Sequence, residues 1–324
     1  MATTRLYKDG KLAEKDFPVD RISDYKDQAG YLVWADFTSP TEEDLAAIQE
    51  ELGLHRLAIE DAVHEHQRPK LDRYDTHSFL AAYHVRFDAE TLKVAKTEIK
   101  AFIAKNVVVT VHDKEFDMAD VVERWDGASD LARYGSAFLV WGILDVVVDS
   151  QFSAVQGLDA ETDDLEDALF DENPRDKEIE RRSFALRKSL VMLRRAVVPM
   201  REVVTSVIRH ETDNSANDRA MLPYFQDVFD HVLRTTEWTD TVRDLIATVL
   251  DTNVGLRANR MNLIMKKVTS WAAIIAVPTA ITGFFGQNLQ FLGFGTVWGV
   301  WLSFGLIVVT AALLYRSFKK RDWL

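Results

Sequence analysis

The sequence predicts an α/β domain at the N-terminus, a long helical stalk after it and two C-terminal transmembrane helices. Three observations carry that expectation. Residues 268 to 315 are 48 consecutive positions without Asp, Glu, Lys, Arg or His, in a chain where 28% of residues are charged. A bilayer core takes about 20 apolar residues per helix, so this gap fits two spans and a connection. Up to about Asp113, helical patterns alternate with period-two runs, and from Asp117 the helical period dominates for about 150 residues.

Residues 1–116 form the α/β part. Met1 to Pro18 has no apolar core segment, which argues against a signal peptide. Ser39-Pro40-Thr41-Glu42-Glu43 starts a capped helix, and Phe79 to Phe87 and Ile99 to Val111 read as strands, with Lys105-Asn106 as a hairpin turn. Residues 117–222 read as antiparallel helices broken at Pro174, Pro199 and the polar stretch 210–219. Tyr134 to Val148 is apolar but short and carries Asp145, so a buried helix is expected there rather than a third span. Asp159 to Glu172 holds eight carboxylates and no base, as a solvated acidic helix tip does.

Residues 223–286 form the stalk and first span. Pro223 suits a first helical turn, and no further Pro occurs before Pro278. A helix from Pro223 to Phe285 has 63 residues and a length on the order of 95 Å. A lone soluble chain cannot bury that, whereas a symmetric ring with these helices around its axis can. Steps of three or four residues put Asp251, Gly255, Asn259, Asn262, Thr269, Ala272, Ala276, Thr279 and Gly283 on one small or polar face. Small residues allow close helix approach, and hydroxyls and amides can serve a hydrated ion in a pore.

Residues 287–296 form a Gly-rich loop, 297–315 the second span and 316–324 a basic tail. Lys266 and Lys267 precede the first span and Arg316, Lys319, Lys320 and Arg321 follow the second. Positive flanks stay inside, so a multi-pass inner (plasma) membrane protein with both termini cytoplasmic is expected. Trp298 and Trp301 then lie near the outer interface.

The 51 acidic and 39 basic side chains give a net charge of -12. Residues 1 to 267 hold 50 of those acids and 35 of the bases, a net of -15. Such a domain suits divalent cations and repels nucleic acid. Without cysteine there are no thiolate metal sites. His64 and His66 flank Glu65 with no further ligand at metal spacing, so they read as structural. No phosphate-binding Gly loop, Ser-His-Asp order or HExxH occurs, which indicates no enzyme and no organic cofactor.

Three stretches together resemble the CorA magnesium-transporter family over the whole chain. One is His55-Arg56-Leu57-Ala58-Ile59-Glu60-Asp61 with His66-Gln67-Arg68-Pro69-Lys70 and Tyr74-Asp75. Another joins Val109-Thr110-Val111-His112-Asp113-Lys114 to Pro199-Met200-Arg201-Glu202 and to Pro223 through His231. The last is Pro278 followed by Gly286-Gln287-Asn288, where the family normally has Gly-Met-Asn.

The resemblance implies a funnel-shaped homopentamer that carries Mg²⁺, with Co²⁺ and Ni²⁺ as further substrates, down its electrochemical gradient. It assigns Gly286, Gln287 and Asn288 to a selectivity filter, where amide and carbonyl oxygens meet the hydrated ion. Gly286 is expected to let the backbone turn there. The pore-lining set is Asp251, Asn262, Thr269, Ala276, Thr279 and Gly283, with Asp251 as a carboxylate ring. Asp88 and Asp227 match a regulatory Mg²⁺ site between neighbouring subunits, through which high cytoplasmic Mg²⁺ closes the pore. Gln287 in place of Met leaves a ZntB-like zinc transporter as the nearest alternative, and a nonconducting membrane-anchored ion sensor as one of a different class.

Overall fold

The computed structural model describes residues 2–64, 67–171, 176–213, 218–287 and 295–324. It divides into two units, Met1–Val249 and Leu250–Leu324.

The first unit is built on a seven-stranded sheet. Its strands are β1 (Ala2–Lys8), β2 (Lys11–Lys15), β3 (Tyr31–Thr38), β4 (Lys70–Arg73), β5 (Ser78–Asp88), β6 (Lys93–Ile103) and β7 (Val107–His112). They lie in the order β2-β1-β3-β7-β6-β5-β4, with β3 and β7 parallel and the other neighbours antiparallel. Every residue of β7 and the middle six of β3 are buried. Both faces of the sheet are covered, so its centre reads as continuous apolar sequence rather than alternation. The turn expected at Lys105-Asn106 closes with Ala104 N donating to Val107 O at 2.8 Å.

The helices of this unit are α1 (Ile22–Tyr25), α2 (Glu42–Leu52), α3 (Arg56–Val63), α4 (Ala119–Gly127), α5 (Ser136–Asp167), α6 (Asp176–Val197) and α7 (Met200–Asp213), followed by the start of α8 (Leu222–Phe285). Helices α2 and α3 cover one face through Leu45, Ile48, Ala58 and Ala62 on Val33, Phe79 and Phe102. On the other face Trp34, Leu80 and Ile99 meet Trp125, Phe138, Ile143, Val204 and Phe225 from α4, α5, α7 and α8. The N-terminal cap of α2 is the expected one, with Thr41 and Asp44 forming a reciprocal capping box.

From Ser136 onward the Tyr134 to Val148 segment lies in α5, whose most apolar window is 78% buried. It is a core helix that packs mainly along β5. Helix α6 ends two residues before Pro199, as the missing donor of proline requires.

The motif residues of the N-terminal half hold this fold together. His55 caps α3, its Nδ1 accepting from Leu57 N at 3.2 Å, and stacks on Tyr74. Lys70 joins Asp61 and Asp72, each at 2.6 Å. In the centre of the sheet, Trp34 Nε1 donates to Thr110 Oγ1, and the Thr110 hydroxyl donates to Asp36 Oδ1 at 2.6 Å. His112 meets Asp36 Oδ2 through Nε2 at 3.1 Å and the Asp113 carbonyl through Nδ1 at 2.7 Å. The Asp113 carbonyl can only accept, so Nδ1 donates to it, and a second donation from Nε2 to the Asp36 carboxylate requires the protonated ring. Burial opposes that charge, yet the Asp36 carboxylate outweighs it and the His112 pKa is raised.

The second unit contains the rest of α8 and α9 (Val297–Lys320). Their most apolar windows are only 6% buried, whereas that of α5 is inside the core. Exposed on α8 are Met265, Val268, Trp271, Ile275 and Phe284, and on α9 Val300, Trp301, Phe304, Val308 and Leu313. Water would penalise that much apolar surface, and a bilayer would not. Helix α9 continues through Arg316 to Lys320, so most of the basic tail is helical rather than a separate segment.

Candidate functional site

Helix α8 is continuous for 64 residues and passes through Pro278. Proline has no N–H for the carbonyl four residues back, Ile274, so that oxygen is released from the intrahelical ladder. Thr279 Oγ1 donates to the Ile275 carbonyl at 2.9 Å, and Thr282 Oγ1 to the Thr279 carbonyl at 3.0 Å. Each hydroxyl thereby spends its proton on its own helix and keeps its oxygen lone pairs for a cation or its water.

The nine residues of the small or polar face, Asp251 to Gly283, are all exposed. The half-buried positions of the first span, including Ile274, Val277, Ile281 and Phe285, fall on a different side of the helix. The expected pore positions Asp251, Asn262, Thr269, Ala276, Thr279 and Gly283 therefore share one uncovered face. At 1.5 Å per residue that face runs on the order of 50 Å from Asp251 to Gly286.

At its end, Gly286 N donates to the Thr282 carbonyl at 2.9 Å and Gln287 N to the Phe284 carbonyl at 3.3 Å, closing α8 with a turn. Gly286 is not in the left-handed region, so backbone freedom is not what it supplies. A Cβ there would lie 3.0 Å from the Thr282 carbonyl oxygen, and the close approach of backbone to backbone explains the glycine instead. Gln287 is exposed. Asn288, the third residue of the expected filter, lies outside the described residues, as do Glu65 and His66.

The two carboxylates expected to bind a regulatory ion sit on different elements. Asp88 ends β5 and accepts from the Thr91 hydroxyl at 2.8 Å and from the backbone N–H groups of Glu90 and Thr91. The Thr91 hydroxyl, then those N–H groups, hold its pKa below the ordinary carboxylate value. Asp227 is exposed on the first turns of α8. Among the described residues no three His, Asp or Glu side chains form a group that could hold a metal ion within the chain.

A charged cluster that the sequence alone does not assemble lies near Asp227. Arg124 of α4 reaches Asp145 at 2.6 Å and Asp149 at 2.7 Å, and His231 Nδ1 lies 3.8 Å from Asp149. Asp145 and Asp149 are four residues apart on α5, as Asp227 and His231 are on α8, so each pair shares a helix face. Burial raises the Asp145 pKa, Arg124 and His231 pull it down, and Asp149 and Asp227 push it further up. Asp145 as the only charge of the apolar stretch 134–148, and His231 one turn beyond Asp227, were the signals available in the sequence.

The acidic tip of α5 is partly neutralised by α6, through Arg182 and Glu161 at 3.0 Å.

Comparison with known proteins agrees with this arrangement. The family model described as CorA-like Mg²⁺ transporter protein matches residues 29–320. The cobalt/magnesium transport protein CorA of Thermotoga maritima is 27% identical, over 99% of this chain and 95% of that protein. The zinc transport protein ZntB of Yersinia pseudotuberculosis is 24% identical over 80% of this chain and 78% of that one. The complete structure of the CorA magnesium transporter from Methanocaldococcus jannaschii superposes with a TM-score of 0.79 at 22% identity, covering 100% of this chain and 99% of that one. A match across nine-tenths of the sequence, together with two exposed apolar helices after an α/β unit, makes this chain a member of the CorA-like Mg²⁺ transporter family, a family of transporters and not of enzymes.

Proposed function

We propose that the protein is a homopentameric channel of the inner (plasma) membrane that admits Mg²⁺ down its electrochemical gradient, with Co²⁺ and Ni²⁺ as further substrates. Five copies of α8 surround the pore, and both termini are cytoplasmic. The observation that carries this is the uncovered small and polar face from Asp251 to Gly286, which continues along the charge-free first span of α8. Lipid does not favour such a face, and a ring of helices around a water-filled axis does.

Gly286, Gln287 and Asn288 form the filter, presenting neutral oxygens that attract a hydrated divalent ion and still release it. The described part of the outer connection carries no acid, so entry relies on those dipoles and on the membrane potential, worth about 2.3 kcal/mol per charge per 100 mV. Further in, five Asp251 carboxylates cannot all stay charged without cations between them. Asp88 of one subunit and Asp227 of its neighbour repel until cytoplasmic Mg²⁺ bridges them, and that bridge holds the pore shut.

The test is Mg²⁺ flux into proteoliposomes with internal Mg²⁺ varied and Zn²⁺ run in parallel. Mg²⁺ entry that falls as internal Mg²⁺ rises, and that is lost in Asn288→Ala with folding retained, supports the reading. Zn²⁺ entry without Mg²⁺ entry would move the protein to the zinc alternative, which Gln287 in place of Met and the similarity to ZntB favour. Flux of neither ion would leave an ion sensor.

A further inference from the structure

The soluble part of the chain is strongly acidic, yet residues 181 to 201 contain seven Arg or Lys and no acid. The N-terminal part of this run faces the acidic tip of α5, where Arg182 holds Glu161. Its C-terminal part has a different surrounding. Arg194 and Arg195 line a groove of about 660 Å³ together with Arg68, from the segment before β4, and Lys96 of β6. None of the described residues that line this groove is Asp or Glu.

Two of the four bases have a carboxylate at the groove margin. Arg68 meets Glu202 at 2.9 Å, with both side chains more than two-thirds exposed, and Arg194 meets Asp240. The exposed Arg68–Glu202 pair exchanges readily for a stronger anion, while Arg194 is half-buried and would trade Asp240 for one. Arg195 is exposed and, among the described residues, forms no ion pair. Lys96 Nζ lies 4.2 Å from the centre of the Tyr83 ring, and the Tyr83 hydroxyl donates to the Gln67 carbonyl at 2.6 Å, which fixes the ring. The remaining wall is apolar, with Val191 and Val198 each 44% exposed. Four cations gathered around an apolar floor repel one another, and no carboxylate in the lining of the groove offsets that repulsion.

We infer that this groove binds a soluble phosphate-bearing organic anion of nucleotide size. The guanidinium forks of Arg68, Arg194 and Arg195 match phosphate oxygens two at a time, Lys96 adds a point charge, and Val191 and Val198 receive the apolar body. The volume lies within the range of small-molecule sites. The site is separate from the proposed ion pathway, and nothing in it depends on transport.

The experiment is equilibrium dialysis of labelled ATP against the full-length protein in a maltoside detergent, which carries no phosphate, with EDTA present so that no divalent ion contributes. The expected result is saturable binding that weakens steeply with salt and weakens at least about tenfold in Arg195→Glu and in Lys96→Glu. Arg187→Glu, on the same helix but outside the groove, should bind as the wild type does. Three results would overturn the inference. One is no saturable binding of ATP or ADP. Another is binding equally weakened by Arg187→Glu, which would make it diffuse attraction to the helix. The third is inorganic phosphate binding as tightly as ATP, which would remove the apolar body. If Arg195→Glu dissociates the oligomer and the wild type binds no nucleotide, a neighbouring subunit fills the groove and the inference fails.

Discussion

Replacing Arg124 by Gln tests whether the buried carboxylate of Asp145 needs its cation. Arg124 lies 2.6 Å from Asp145, whose side chain is 8% exposed, and 2.7 Å from Asp149. At an effective dielectric of about 20, one such pair is worth about 4 kcal/mol. The Arg124 side chain is 40% exposed, and water there screens the pair, which brings the expected loss to about 2 kcal/mol. For a unit of this size that lowers the melting temperature by about 4–8 °C, read by tryptophan fluorescence of the detergent-solubilised chain.

Asp145→Asn should recover part of that loss in the Arg124→Gln background, because the uncompensated buried charge is then gone. The pH dependence has a definite sign. The folded-state pKa of Asp145 is raised above 3.8, so between 3.8 and that value the native state holds more protons than the unfolded one. The stability of Arg124→Gln relative to the double variant should therefore fall as pH rises through that window. A melting temperature within about 1 °C of wild type, or strictly additive single losses, would refute the reasoning.

Other perturbations probe separate parts of the molecule. Gly142→Ala would put a Cβ 2.2 Å from Trp125 Nε1, which donates to the Leu139 carbonyl; overpacking plus loss of that hydrogen bond should cost about 2–4 kcal/mol, seen as a lower denaturation midpoint. The raised His112 pKa makes its pairing with Asp36 fully stabilising below pH 6.5 and lost as pH rises through the folded value. The stability gap between wild type and His112→Asn should narrow above that pH, and a constant gap would show the ring to be neutral. Thr41→Ala removes the hydroxyl that accepts from Asp44 N and should cost about 1 kcal/mol by thermal unfolding. Thr279→Val keeps the shape of the side chain and removes its oxygen from the proposed pore face. Mg²⁺ flux per molecule should fall, with the oligomer unchanged by size-exclusion chromatography.

The two long apolar C-terminal helices were legible because absence of charge over 48 residues has one economical explanation, and chain connectivity alone sets that pattern. The central strands were legible in part. Val107-Val108-Val109 announced a buried strand, but nothing local revealed that β3 runs parallel beside it, since that pairing joins residues 74 or more positions apart. The two roles of apolar helix were separable because the Tyr134 to Val148 stretch is short and carries Asp145, and the structure has the apolar window of α5 inside and those of α8 and α9 exposed. Family motifs of the N-terminal half were legible without their role: His112, Lys70 and His55 are in the fold's own hydrogen-bond network, which only the packing reveals.

Taken alone, the sequence determined the α/β unit, the helical period, the long helix through Pro278 and the small polar face along it, because each depends on residues within a few positions of one another. Only the tertiary structure decided that this face is left uncovered, that Arg124 joins Asp145 and Asp149 beside Asp227 and His231, and that Arg68 and Lys96 meet the basic end of α6. Those groupings come from elements far apart in the chain, brought together by packing on the two faces of one sheet, and no local periodicity records which neighbours that packing selects.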